Sequence, residues 1–117
     1  MKESGKINYI EIPVRDMKAS KRFFSAVFGW TFSDYGEDYS AIDNGGLDGG
    51  FYTSAMAANA DNGSPLVVLY ADNLDKVMQE VEQHGGNIKK PVFAFPGGKR
   101  FHFTDPSGNE YAVWSES

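Results

Sequence analysis

The chain has 117 residues, enough for one domain with its own core. It has no cysteine, which excludes a disulfide framework, a thiolate nucleophile and a Cys-based metal site. A net charge of −5 argues against a nucleic-acid face, and no apolar run approaches the roughly 18 residues of a membrane span. The expected protein is cytoplasmic, with neither a nucleic acid nor a membrane as partner.

The first predicted element is an alternating strand, Ile7 to Val14, with Ile10, Ile12 and Val14 on one face and Tyr9, Glu11 and Pro13 on the other. Asp16 follows as a helix N-cap. Met17, Phe24, Val27 and Phe28 then recur at helical spacing up to Gly29, which predicts a helix over 17–28. Three short strands come next, over 30–33, 39–42 and 47–53, separated by turn-rich stretches at 35–38 and 43–46. Residues 54–64 are rich in Ala, Asn and Gly without periodicity and read as a linker.

The second half repeats the plan. A strand over 66–71 leads to Asp72-Asn73 as cap and to a helix over 74–84 with Leu74, Val77, Met78 and Val81 on its buried stripe. His84 in the last turn complements the helix dipole. Strands are expected over 87–92, 100–104 and 110–114, with Asp105-Pro106-Ser107-Gly108-Asn109 as a tight turn between the last two. Lys89-Lys90 and Lys99-Arg100 read as solvated surface.

Superposing Gly29 on Gly86 also superposes Asp16 on Asn73 and Met17 on Leu74, so the chain is an internal repeat. The fold class is α+β: two βαβββ modules, 6–53 and 65–115, joined by the linker 54–64 and forming curved mixed sheets around a cup.

Three phrases carry a resemblance across nearly the whole chain. They are Glu11-Ile12-Pro13-Val14-Arg15-Asp16, Phe23-Phe24-Ser25-Ala26-Val27-Phe28-Gly29-Trp30 and Phe103-Thr104-Asp105-Pro106-Ser107-Gly108-Asn109-Glu110. In order and spacing they resemble the vicinal oxygen chelate superfamily of glyoxalase I, extradiol dioxygenases and bleomycin-resistance proteins. The resemblance implies a cup between modules and, in metal-dependent members, four ligands from its strands. Carried over, those positions fall at Tyr9, near Gly50, at Leu66 and at Ala112. None holds His, Glu or Gln, and Leu66 and Ala112 have no donor atom. No metal and no other cofactor is therefore expected.

Strand alternation lists the cup side independently. It carries Tyr9 and Glu11, then Asp48, Gly50 and Tyr52, then Leu66, Val68 and Tyr70, then Arg100, His102 and Thr104, and finally Glu110, Ala112 and Trp114. Aromatic residues make up 15% of the chain, and a cup walled by rings with a few charged groups suits a small molecule. The expected ligand contacts are Tyr9, Glu11, Tyr52, Leu66, Arg100, His102, Ala112 and Trp114.

Two groups could do acid–base work. Glu11 sits mid-strand between two isoleucines, where a carboxylate is partly desolvated, or else pairs with Arg100 or a lysine at a strand edge. His102 could pair with Glu11 for acid–base chemistry, join Glu110 in a two-ligand metal site, or be a hydrogen-bonded structural residue. Tyr9 and Trp114 could stack on a planar ligand or pack against a second copy. The favoured reading is a metal-free binder of a small aromatic or hydrophobic molecule. The alternative is a glyoxalase- or dioxygenase-class enzyme using Glu11 or His102, and a subunit with a vestigial cup is a third. An excess of exposed rings predicts a homodimer.

Overall fold

The computed structural model describes residues 2–116. In chain order the elements are β1 (Tyr9–Val14), α1 (Met17–Phe28), β2 (Phe32–Asp34), β3 (Tyr39–Ile42), β4 (Asp48–Thr53), β5 (Val67–Tyr70), α2 (Leu74–Gln83), β6 (Asn87–Phe95), β7 (Gly98–Thr104) and β8 (Glu110–Ser115). They form two four-stranded mixed sheets of the same design, sheet A in the order β1-β4-β3-β2 and sheet B in the order β5-β8-β7-β6. In each, the first and last strands of the module lie parallel. This is the repeated βαβββ plan that the sequence predicts.

Local chemistry sets the helix ends. Asp16 accepts the Ala19 N–H at 3.1 Å, and Gly29 closes α1 in the left-handed conformation, with φ of 72°, that glycine adopts without a Cβ penalty. Of the two expected caps for α2, Asn73 serves, accepting the Lys76 N–H at 3.1 Å. That helix ends at Gln83, with His84 as its cap rather than its last residue. Strands β6 and β7 run to Phe95 and back from Gly98, a longer hairpin than the expected 87–92 and 100–104. The proline at 91 does not end β6; the register shifts between Ile88 and Lys90 and again across Pro91, between Lys90 and Phe93.

Both sheets turn their helix-facing sides to one core. Phe24 of α1 stacks on Trp30 at 4.7 Å between centroids, and also meets Phe51 of sheet A and Tyr111 of sheet B. Phe23 and Phe28 reach Phe103 on β7. Burying rings of this size supplies most of the fold's driving force, on the order of 2–3 kcal/mol each. The opposite faces of the two sheets consequently both look away from this core.

The 105–109 turn fastens one module to the other. Asn109 Nδ2 donates to the Pro13 carbonyl at 2.6 Å, Ser107 Oγ accepts the Arg15 N–H at 2.9 Å, and Asn109 Oδ1 accepts from Ala58 at 2.7 Å. Asp105 braces the turn by accepting from the Ser107 and Asn109 backbone N–H groups. Among the described residues, no helix is long and apolar enough to cross a membrane.

Candidate functional site

On the outer face of sheet A, register places Glu11 beside Gly50 and Tyr9 beside Asp48, while Tyr39 of β3 lies opposite Tyr52. The Tyr39 hydroxyl donates to Glu11 Oε2 at 3.0 Å and meets the Tyr9 hydroxyl at 2.5 Å. Since the carboxylate only accepts, the chain of bonds runs one way, from Tyr9 to Tyr39 to Glu11. Burial, then the bonds to Tyr9 and Glu11, push the Tyr39 phenol up from its ordinary value. Glycine at 50 is what admits the pair: a Cβ there would stand 2.3 Å from the Tyr39 hydroxyl oxygen and 2.9 Å from that of Tyr9. Glu11 is exposed and takes a tyrosine as partner. It is neither desolvated mid-strand nor paired with Arg100 or a lysine.

On the outer face of sheet B, His102 lies opposite Ala112, Arg100 opposite Trp114 and Thr104 opposite Glu110. His102 and Glu110 are both 3% exposed. His102 Nδ1 and Glu110 Oε2 lie 2.8 Å apart. Glu110 Oε1 accepts from Lys89 Nζ at 2.9 Å and from the Ala60 N–H at 2.9 Å. Burial alone would raise the Glu110 carboxyl, but the bonds from His102, Lys89 and Ala60 outweigh it and hold the group down to about 2. Lys89, expected on solvated surface, is thus tied into the site, and the linker contributes through its single helical turn at Ala60–Asn62.

Rings wall the rest of this face. The Arg100 guanidinium lies 5.5 Å from the Phe93 centroid and 5.8 Å from that of Phe95, and Trp114 makes edge contacts with Tyr70 and Phe95. Leu66 stands apart, just before β5, in a cleft of about 770 Å³ that runs past Ile7, Ile10 and Leu47. A larger cleft of about 1080 Å³, between α1 and the end of α2, carries none of the predicted site residues.

The predicted set therefore falls into two groups on two sheets: Tyr9, Glu11 and Tyr52 on A, and Arg100, His102, Ala112 and Trp114 on B. Among the described residues, no hydrogen bond, ion pair or ring contact joins one group to the other. An acid–base pair of His102 with Glu11 inside one chain does not form; the partner of His102 is Glu110. Sequence reasoning missed Tyr39, Lys89, Phe93 and Phe95. Alternation along β3 would have placed Tyr39 on the Tyr52 face, whereas Phe93 and Phe95 lie beyond the strand expected over 87–92.

A sequence profile described as the glyoxalase/bleomycin resistance protein/dioxygenase superfamily matches residues 6–113. The chain belongs to that superfamily. Among curated relatives, the glyoxylase-like protein CFP32 of Mycobacterium bovis is 27% identical over 126 aligned positions, covering 94% of this chain and 45% of CFP32. The anthracycline biosynthesis protein DauV of a Streptomyces species is 30% identical, covering 85% of this chain and 42% of DauV. The chain thus spans less than half the length of the curated relatives it matches. Among solved structures, a family protein from Burkholderia phytofirmans superposes with a TM-score of 0.78 at 17% identity, covering 94% of this chain and 98% of that one. The fosfomycin resistance protein FosX of Listeria monocytogenes, solved with Mn(II), gives 0.78 at 12% identity, covering 98% and 93%. At such identities these likenesses concern the fold.

The residues at the superfamily's ligand positions do not fit a divalent ion. Leu66, Ala112 and Gly50 offer no side-chain donor, and the Tyr9 hydroxyl is engaged by Tyr39. The space over Gly50 is occupied by the Tyr39 hydroxyl. Among the described residues, no group of three His, Cys, Asp or Glu side chains is gathered as a metal site would need.

Proposed function

We propose that this chain binds a small, flat aromatic or hydrophobic molecule without a divalent metal, in a cup completed by a second copy of itself. The observation that carries the reading is the ring-walled outer face of sheet B, where Tyr70, Phe93, Phe95 and Trp114 surround a guanidinium and an imidazole. Such a face offers stacking to a planar ligand and polar atoms to its edge. The relatives named for anthracycline biosynthesis support the same ligand shape, since anthracyclines are flat polycyclic aromatics. The donor-poor ligand positions support the metal-free half of the reading.

The second copy follows from the outward aim of both faces. Sheet A's outer face carries Glu11 and Asp48 with exposed Tyr9 and Tyr52, while sheet B's carries Arg100 and Lys90 with exposed Val68 and Tyr70. Acidic and basic faces of two copies would meet, uniting the two groups of predicted residues and covering their apolar surface. Calorimetric titration with 2-naphthol tests the ligand: saturable binding with equal affinity in EDTA and in Mn(II) is expected. Absence of binding, or binding only with the metal, would overturn the proposal.

The buried His102–Glu110 pair favours a second reading, an enzyme in which Glu110 orients His102 as a base. It predicts hydrogen–deuterium exchange at an acidic C–H of a bound ketone such as 2-tetralone, lost in His102→Gln; no exchange above buffer would sink it.

A further inference from the structure

Two polar atoms on the sheet B face, His102 Nε2 and Arg100 Nε, are buried without a hydrogen-bond partner. Buried polar atoms are nearly always paired, so two such vacancies on alternate residues of one strand face call for a common explanation. Their chemistry differs. Glu110, ionised at neutral pH and accepting only, requires that His102 Nδ1 carry the proton in their 2.8 Å bond. In the neutral ring that leaves Nε2 as a lone pair, on the side of the imidazole turned away from Glu110. Arg100 Nε is a donor under all conditions. The face thus offers one acceptor and one donor, the complement of a single hydroxyl, whose hydrogen goes to nitrogen and whose oxygen accepts.

We infer that His102 and Arg100 form a hydroxyl-binding subsite, and that the ligand is a hydroxylated aromatic such as a phenol or naphthol, anchored by its hydroxyl and stacked among the rings. The inference rests on the aromatic-binding reading above and narrows it to a ligand class. Glu110 is a positioning residue here, since it fixes the tautomer that makes Nε2 an acceptor, and Lys89 holds Glu110 in turn. Phe93 covers the subsite, its ring 5.8 Å from that of His102. At 38% exposed, on the stretch of β6 where the register slips, it is the side chain that an entering ring displaces. Arg100 keeps its contact with the Phe95 ring when Phe93 moves.

The test compares 2-naphthol with 2-methylnaphthalene, which has the same shape but neither donates nor accepts. Calorimetry on the wild-type chain should show 2-naphthol binding more tightly by about tenfold or more, since each of its two buried hydrogen bonds contributes. The 15N resonance of His102 Nε2 should shift on adding 2-naphthol and stay in place with 2-methylnaphthalene. Arg100→Lys keeps the charge, removes the Nε donor and leaves the buried His102–Glu110 pair intact; it should narrow the difference in affinity severalfold while the shift of Nε2 on adding 2-naphthol persists. Equal affinities with an unmoved Nε2 resonance would overturn the subsite and leave the aromatic-binding reading standing. If neither compound binds, both readings fall together.

Discussion

Replacing Glu110 by Gln keeps the shape of the side chain and removes the charge that His102 and Lys89 face. The folded-state carboxyl is held down to about 2 against an ordinary value of 4.5. By linkage that drop corresponds to ~3 kcal/mol at neutral pH as an upper figure. Lys89 is a quarter exposed and Asp61 largely so, and solvent screens that arm of the network, so about 1–3 kcal/mol is the expected loss. The sign is fixed by the direction of the shift. A depressed carboxyl contributes in full above its unfolded value of 4.5, and its contribution fades as pH falls toward 2. Urea denaturation of wild type and Glu110→Gln, followed by tryptophan fluorescence, should therefore show a gap that shrinks by roughly half or more between pH 5 and pH 3. Other groups titrating in that range cancel in the difference. A gap that stays constant with pH, or no gap at neutral pH, would refute the account of Glu110 as a carboxylate held ionised by these bonds.

Two further outcomes follow from the geometry. Gly50→Ala would put a Cβ 2.3 Å from the Tyr39 hydroxyl and drive that ring off Glu11, so a loss of about 1 kcal/mol, from exposed hydrogen bonds broken, should appear as a lowered Tm; an unchanged Tm would show that Tyr39 relocates freely. Asp105 lies the other way from Glu110: burial raises its carboxyl to about 6 despite the bonds from Asn109, Ser107 and Gly108, so the stability it contributes is complete below about 4 and is lost as pH rises through 6. Asp105→Asn should remove that falling limb from a denaturation series between pH 4 and pH 7, and a variant profile parallel to wild type would contradict the assignment.

The elements were legible because each rests on a local signal. Asp16 and Asn73 cap, Gly29 terminates, and Ile10, Ile12 and Val14 alternate as a half-buried strand must. The faces were legible too, since a period of two assigns Tyr9 with Glu11, His102 with Arg100 and Ala112 with Trp114 before any register is known. What sequence could not give was which faces meet. Met17, Phe24, Val27 and Phe28 read as one helix stripe, but nothing local says that this stripe serves both sheets and so turns the two groups of site residues outward. Partner choice was equally hidden. The bond of His102 to Glu110 rather than Glu11, the recruitment of Lys89 and the docking of Asn109 on Pro13 are contacts between residues whose pairing depends on register and tertiary packing. Phe93 and Phe95 went unassigned because the strand was expected to end at residue 92, whereas β6 continues past Pro91 to Phe95 by taking up register shifts.

Native mass spectrometry of the chain, dialysed against Mn(II) and Zn(II) and then exposed to 2-naphthol, tests the central claim in one spectrum. The account predicts a dimer that carries aromatic ligand and no metal. A ligand-bearing species that holds one divalent ion per chain, or a monomer that takes up neither, would contradict it.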